Sequence, residues 1–230
     1  VITCNENTTG TERKQIVYIT AANGSDRTQL TLIQAAVDKS YQHCYYVKAD
    51  VETEGDGSKE APFRTIGMAA SKVQAGDTVL VMGGIYVEEN IIPANSGTEK
   101  AMIVFKPASK DDEVIIKHSG IEFTKDGTKV FDINSRNYIW IEGFTFKGYH
   151  YAGSTIELRD ATGCVIYNNR FEDIGNDQIV NVGQALINIY RSSLNVVCNN
   201  YFYDIFGDGV GMGRTSKNNL ICDNTFDTFK

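Results

Sequence analysis

The amino-acid sequence predicts an all-β fold, a right-handed parallel β-helix covered at its N-terminal end by a helical cap. Three observations predict it. Cys164-Val-Ile-Tyr-Asn-Asn-Arg-Phe171, Asn195-Val-Val-Cys-Asn-Asn-Tyr-Phe202 and Asn219-Leu-Ile-Cys-Asp-Asn-Thr-Phe226 superimpose as an apolar strand followed by Asn, one residue and Phe. Asn169, Asn200 and Asn224 are 31 and 24 residues apart, the period of a solenoid coil. A weaker copy, Tyr138-Ile-Trp-Ile-Glu-Gly-Phe-Thr-Phe146, precedes them with Gly143 at the asparagine position.

Each coil of such a solenoid buries one side of its short strands in a shared interior. Ile166, Val197 and Ile221 are therefore expected to form one aliphatic column, and Phe171, Phe202 and Phe226 another. The asparagines mark bends, where Asn tolerates left-handed backbone angles and its amide can bond the equivalent Asn one coil away. An antiparallel sandwich would show hairpin signals at 8–12-residue spacing, and this region lacks Asn-Gly or Asp-Gly in register.

The remaining elements follow in chain order. Residues 1–44 form a leader: Ile16-Val-Tyr-Ile-Thr20 reads as a strand, Asn23-Gly-Ser-Asp26 as a turn, and Thr28 to Tyr41 as an amphipathic helix with Leu32, Ile33, Ala36 and Val37 on one face. From residue 45 to 230 the solenoid is expected. Tyr45-Tyr-Val47 is a strand, Thr65 to Val73 a short helix carrying Ile66, Ala69, Ala70 and Val73, and Gly76 to Met82 the next strand. A helix laid across the open apolar end of a solenoid covers it. Further strands are expected at Ile91-Ile92, Ala101 to Lys106, Glu113 to Lys117, Val130 to Ile133 and Tyr138 to Phe146. Beyond Phe226 no helix or polar strand closes the stack, so the solenoid is expected to be completed by further chain or by another subunit.

With 230 residues, 42% apolar content, 3 Pro and 21 Gly, the chain suits an ordered β-rich protein with a large core. No stretch approaches the length of a membrane span. A formal charge of -7 argues against a nucleic-acid partner, although an anionic ligand can still be held by a local basic groove. There is no phosphate-binding Gly-x-x-x-x-Gly-Lys, no His-Glu-x-x-His and no Gly-x-Ser-x-Gly, and no organic cofactor is expected. Among the 5 cysteines, Cys198 and Cys222 share a ladder position with Tyr167 next in the column. Because parallel ladders seldom align Cβ vectors for a bridge, two free thiols are expected there. Cys4 and Cys44 could close the leader of an exported protein.

Tyr45-Tyr-Val, Gly55-Asp-Gly-Ser58, Ala61-Pro-Phe-Arg-Thr-Ile66, Ala69-Ala70, Ala75-Gly-Asp-Thr-Val79, Gly84-Ile-Tyr86 and Ser96-Gly-Thr98 together resemble the opening of the pectate-lyase-like superfamily of secreted β-helix proteins. The resemblance spans roughly residues 45–226. It implies an exported or cell-surface protein that lays an acidic polysaccharide along a groove on a parallel sheet. Lyases of the superfamily abstract the proton beside a uronic-acid carboxylate with a Lys, Arg or His base, while calcium or a cationic side chain neutralises that carboxylate. The same opening precedes hydrolases, epimerases and binding solenoids, so a non-catalytic carbohydrate-binding or surface protein is the alternative.

Two constellations could carry chemistry. Asp173 and Asp177 follow Asn169 at the offsets at which Asp204 and Asp208 follow Asn200, which stacks Asp173 on Asp204 and Asp177 on Asp208. Four carboxylates at one corner repel unless a cation intervenes, and hard oxygen ligands suit Ca2+; the alternative is a set of solvated turn acids. Arg136, Arg159, Arg191 and Arg214, with Lys217 close by, fall near successive turns as a basic column. Arg191 and Arg214 are expected to engage substrate carboxylates, and Arg136, Arg159 and Lys217 to extend the binding face. Turn arginines are also often solvated, and Arg159 beside Asp160 could simply be paired. The loop Lys147-Gly-Tyr-His-Tyr151 offers Lys147, Tyr149 and Tyr151 as a sugar-stacking wall and His150 as a proton shuttle, although such residues are ordinary in half-buried loops. Gly207 to Gly213 alternates glycine and is read as a strand with little outward bulk, a floor on which a ligand could approach the backbone.

Overall fold

The computed structural model describes residues 13–20, 27–34, 43–117, 129–148, 153–175 and 185–229. The chain divides into two units, Val1–Gln42 and His43–Lys230. In the first, β1 (Arg13–Thr20) pairs antiparallel with β2 (Arg27–Gln34), Arg13 opposite Gln34 and Thr20 opposite Arg27. The expected helix from Thr28 is therefore corrected through Gln34. Leu30 and Leu32 alternate with Thr31 and Ile33, and these β-branched residues suit a strand once a partner strand is present. The rest of that expected helix lies outside the described residues.

The second unit is nearly all β. In order it contains β3 (Cys44–Val47), α1 (Ile66–Ala70), β4 (Thr78–Val81), β5 (Gly84–Val87), β6 (Ile103–Pro107), β7 (Val114–Lys117), β8 (Phe131–Asn134), β9 (Ile139–Glu142) and β10 (Thr145–Lys147). There follow β11 (Ile156–Arg159), β12 (Val165–Tyr167), β13 (Arg170–Ile174), β14 (Ile187–Tyr190), β15 (Val196–Cys198), β16 (Tyr201–Ile205), β17 (Val210–Gly213), β18 (Leu220–Cys222) and β19 (Thr225–Phe229). These strands make three parallel sheets. Sheet I runs β3-β4-β6-β9-β12-β15-β18, sheet II β5-β7-β10-β13-β16-β19 and sheet III β8-β11-β14-β17. From β8 onward the chain visits III, I and II in fixed rotation, so each strand pairs with the strand three places later.

The helix α1 begins where Thr65 caps it, its Oγ1 accepting from Met68 N at 3.1 Å, and it packs against β3 and β4 with Ile66, Ala69 and Ala70 buried. Glu88 accepts from the two amides before that of Met68, Ile66 N at 2.7 Å and Gly67 N at 2.9 Å. Burial pushes the Glu88 carboxyl above its ordinary range, against the opposing pull of those two amides.

The expected columns are present, buried along their length and exposed at their last members, Ile221 and Phe226. Ile166 pairs in register with Val197 and Val197 with Ile221, while Phe171, Phe202 and Phe226 stack at 4.7 Å and are preceded by Phe146 at 5.1 Å. Flat rings at the spacing of adjacent strands pack face to face, each lying against an identical ring.

The asparagine column is a hydrogen-bonded ladder. Asn224 Oδ1 accepts from Asn200 N and Nδ2 at 2.9 and 3.0 Å, and Asn200 Oδ1 accepts from Asn169 N and Nδ2 at 3.0 and 3.2 Å. Asn169 Oδ1 in turn accepts from Phe144 N at 3.1 Å. At each bend the strand pairing lapses, and the side chain supplies the acceptor the backbone N–H would otherwise lack. Two details of the expectation are corrected. The left-handed residue is the one before the ladder asparagine: Asn168 (φ 54°), Asn199 (φ 59°) and Asp223 (φ 50°). Gly143 (φ 78°) belongs to that column, so Phe144 and not Gly143 stands at the asparagine position. A second ladder, with Asn195 Oδ1 accepting from Cys164 N at 2.8 Å and Asn219 Oδ1 from Asn195 N at 3.0 Å, was not foreseen.

Cys198 and Cys222 are joined by a disulfide, in place of the two free thiols expected. In-register pairing of β15 with β18 sets their Cα atoms 4.7 Å apart, inside the range a bridge spans. Cys4, the expected partner of Cys44, lies outside the described residues. Cys164 is fully buried, and burial pushes its thiol up to about 12. The bridge closes a 24-residue separation, so denaturant melts with and without reductant are expected to differ by about 3 kcal/mol, an effect that Cys222→Ser abolishes.

Candidate functional site

Sheet III positions the strongest candidate. Along its strands Phe131 and Ile133, Ile156 and Leu158, and Ile187 and Ile189 are buried. The alternate row makes two columns of the opposite face: Asp132, Glu157, Asn188 and Gly211 in one, and Asn134, Arg159, Tyr190 and Gly213 in the other. Just beyond the strand ends, Ser135 (φ 53°), Asp160 (φ 51°), Arg191 (φ 50°) and Arg214 (φ 34°) form a column of left-handed turns.

Tyr190 is the centre of this face. The guanidinium carbons of Arg159, Arg191 and Arg214 lie 4.5, 5.0 and 5.7 Å from its ring centroid. Three cations around one electron-rich ring are each attracted to it, yet they repel one another unless anions intervene. Two have such anions. Arg159 Nε donates to Glu157 Oε1 at 3.0 Å, and Glu157, only 2% exposed, also takes Lys129 Nζ at 2.9 Å. Arg191 Nε donates to Asp160 Oδ1 at 2.8 Å and a second nitrogen meets Oδ2, with both side chains exposed. The Arg191 guanidinium holds the Asp160 carboxyl below the usual carboxylate range, and Asp160 holds Arg191 above its own. Arg214 has no carboxylate in ion-pair reach among the described residues.

Past Tyr190 the column loses its side chains. A Cβ on Gly213 would lie 3.4 Å from Tyr190 Cδ2, so a larger residue there would rest on the ring; glycine leaves that side of the ring bare. At Gly211 a Cβ would meet the Ala185 methyl at 2.7 Å, which admits only glycine. The result, termed the notch, is a strip of backbone without side chains beside an aromatic ring that three guanidinium groups approach. Such a surface can stack a flat apolar ring face while pairing an attached anion.

The register separates the arginines expected to form one column. Arg191 and Arg214 share the turn column, Arg159 stands one residue earlier, and Arg136 one residue later, with its Nε donating to Pro93 O at 2.8 Å. Lys217 is exposed at the following bend, bridged through its backbone to Ser193. Lys147 lies on sheet II, paired with Glu172 at 3.2 Å, where burial would raise the Glu172 carboxyl but Arg170 and Lys147 hold it low. Tyr149, His150 and Tyr151 lie outside the described residues.

Asp173 and Asp204 stack as expected, in left-handed positions between the register pairs Glu172–Tyr203 and Ile174–Ile205. Asp208 is exposed, its carbonyl accepting from Leu186 N at 2.9 Å, and Asp177 lies outside the described residues. Among the described residues these acids do not bring three ligand atoms together. The trio that does is Cys198, Cys222 and Asp223, whose sulfurs are joined to each other. Asp173, Asp204 and Asp208 are thus three of the four acids of that expectation, and the fourth lies outside the described residues.

Tyr190, Glu157, Asn188 and Lys129 were missed from the sequence. For the first three a signal was present: Ile156-Glu-Leu-Arg159, Ile187-Asn-Ile-Tyr190 and Val210-Gly-Met-Gly213 recur 31 and 23 residues apart, close to the spacing of the asparagine segments, but share no diagnostic letter.

No family model matches the chain. It is similar to the uncharacterized protein YwoF of Bacillus subtilis (strain 168), with 29% identity over 122 residues that make up 53% of this chain and 25% of that protein. Among solved structures it resembles a rhamnogalacturonan lyase with a TM-score of 0.50 and 19% identity, over 81% of this chain and 50% of that one. It also resembles the GH136 lacto-N-biosidase from Eubacterium ramulus, with a TM-score of 0.51 and 13% identity, over 79% of this chain and 41% of that one. The chain thus spans a quarter of the curated relative and half or less of either enzyme. At these identities the likeness is one of fold, a fold that two carbohydrate-active enzymes use.

Proposed function

We propose that the strands from β3 to β19 belong to a right-handed parallel β-helix of the pectate-lyase-like kind, and that the notch at Tyr190 binds an acidic polysaccharide outside the cell. In this reading Tyr190 stacks a sugar ring over Gly213, Arg214 and Arg191 take its carboxylate, and the polymer is cleaved by β-elimination. The observation that carries it is the gathering of three guanidinium groups around one ring whose neighbour in the column has no side chain. A net charge of -7 makes that local cationic cluster selective for position, since the rest of the surface repels a polyanion. The exposed Ile221 and Phe226 lie on edge strands that would accept further strands, from more of the chain or another subunit.

A second reading, binding without cleavage, is favoured by the pairing of Arg159 and Arg191 with carboxylates, which leaves neither arginine suited to accept a proton. Incubation with pectate, alginate and chondroitin sulfate, with and without chelator, separates the two. Elimination produces new ultraviolet absorbance from the unsaturated product, and loss of that signal with chelator would support a cation at the Asp173 and Asp204 corner. Binding without new absorbance supports the second reading. New reducing ends without absorbance would indicate hydrolysis, and neither binding nor cleavage of any polymer would overturn both readings.

A further inference from the structure

The three arginines at Tyr190 differ in how firmly each is held. Arg159 is locked: its partner Glu157 has a side chain 3% exposed and is shared with Lys129, and separating the pair would strand a buried charge. Arg214 has no carboxylate partner among the described residues. Arg191 stands between these cases. Its two-point contact with Asp160 has the geometry of guanidinium on a ligand carboxylate, yet the side chains are 46% and 38% exposed, and exposed pairs exchange partners at little cost.

We propose that Asp160 is a built-in competitor for the anionic ligand, occupying Arg191 in the absence of ligand and setting how tightly and how selectively the notch holds an acidic sugar. This rests on the reading that the notch binds an acidic polysaccharide. Arg214 meets the incoming carboxylate first, and Arg191 joins it by leaving Asp160. A weakly charged or singly placed anion does not repay that exchange, whereas a ligand spanning both guanidinium groups does, so Asp160 selects for closely spaced anions. Its place is fixed by the fold: Asp160 and Arg191 occupy the same left-handed turn on adjacent coils, so their backbones lie one strand spacing apart and the two side chains meet directly.

Asp160→Asn tests this directly, because Asn keeps the shape and tolerates the left-handed backbone while losing the charge. Binding of pectate, alginate and chondroitin sulfate oligosaccharides is measured by calorimetry beside a neutral cello-oligosaccharide. The proposal predicts that Asp160→Asn binds the acidic oligosaccharide recognised by the wild type about two- to fivefold more tightly, the range for an exposed pair. The neutral oligosaccharide is unchanged, and adding Arg191→Gln to Asp160→Asn removes the gain. Asp160→Gly, which also accepts this backbone, repeats the test if the Asn variant melts early. Unchanged or weaker binding by both variants, with wild-type melting temperatures, overturns the role of Asp160 while leaving the notch as the binding site. No binding of any acidic oligosaccharide by wild type and variants overturns the reading of the notch itself.

Discussion

Asn200→Ala is expected to lower the free energy of unfolding by about 2–5 kcal/mol in a denaturant melt, a larger loss than its size suggests. The side chain is 1% exposed and bonded on both sides: Oδ1 accepts from Asn169 N, while Nδ2 donates to Ile166 O at 3.0 Å and to Asn224 Oδ1. Alanine leaves the Asn169 N–H and the Ile166 carbonyl buried without those partners, and each orphaned group costs about 1–3 kcal/mol. Asn200→Asp distinguishes the ladder from mere polarity. A carboxylate keeps the acceptor but loses the donor and brings a buried charge, so it is expected to be at least as destabilising as alanine. Phe202→Ala, which removes a fully buried ring stacked at 4.7 Å on both neighbours, provides the apolar comparison at about 3–5 kcal/mol. If Asn200→Ala melted like the wild type, the hydrogen-bonded column would not be what holds the bends.

The second large effect is on binding. Tyr190→Ala is expected to weaken binding of an acidic oligosaccharide by about 30-fold or more, the range of an aromatic anchor at the centre of a site. Two contributions vanish together: the stacking face above Gly213, and the ring that draws Arg191 and Arg214 to one place. Gly213→Leu is expected to give a similar loss by the opposite means, laying a side chain on the ring that a sugar would otherwise cover. Tyr190 lies outside the buried core, so both variants are expected to keep most of the wild-type stability, and calorimetry alongside thermal melts checks that separation. Wild-type affinity in either variant would place the ligand elsewhere.

The columns were legible because a strand that repeats over a common interior must repeat its letters. Phe171, Phe202 and Phe226 had to match in size to stack, and Asn169, Asn200 and Asn224 had to match in chemistry to bond, so both columns stood out in the sequence. The site strands carried no such constraint on the face away from the core. Glu157, Asn188 and Gly211 share one column, as do Arg159, Tyr190 and Gly213, and their dissimilarity is what hid this face. Arginine at two successive turns made Arg191 and Arg214 conspicuous, but placing Arg159 and Arg136 relative to them required a register that only the strand pairing supplies. The disulfide turned on the same quantity, the in-register approach of Cys198 and Cys222. In the leader, a sequence with both helical and alternating periodicity became β2 because a partner strand was available, information no local window contains.

Hydrogen–deuterium exchange with and without the best-bound acidic oligosaccharide tests the arrangement most directly, because it reads position along the chain. The stacked notch predicts added protection in three segments far apart in sequence, 156–160, 187–191 and 210–214, with the intervening strands of sheets I and II unchanged. Protection confined to one of these segments, or centred on the strands of sheet II, would contradict it.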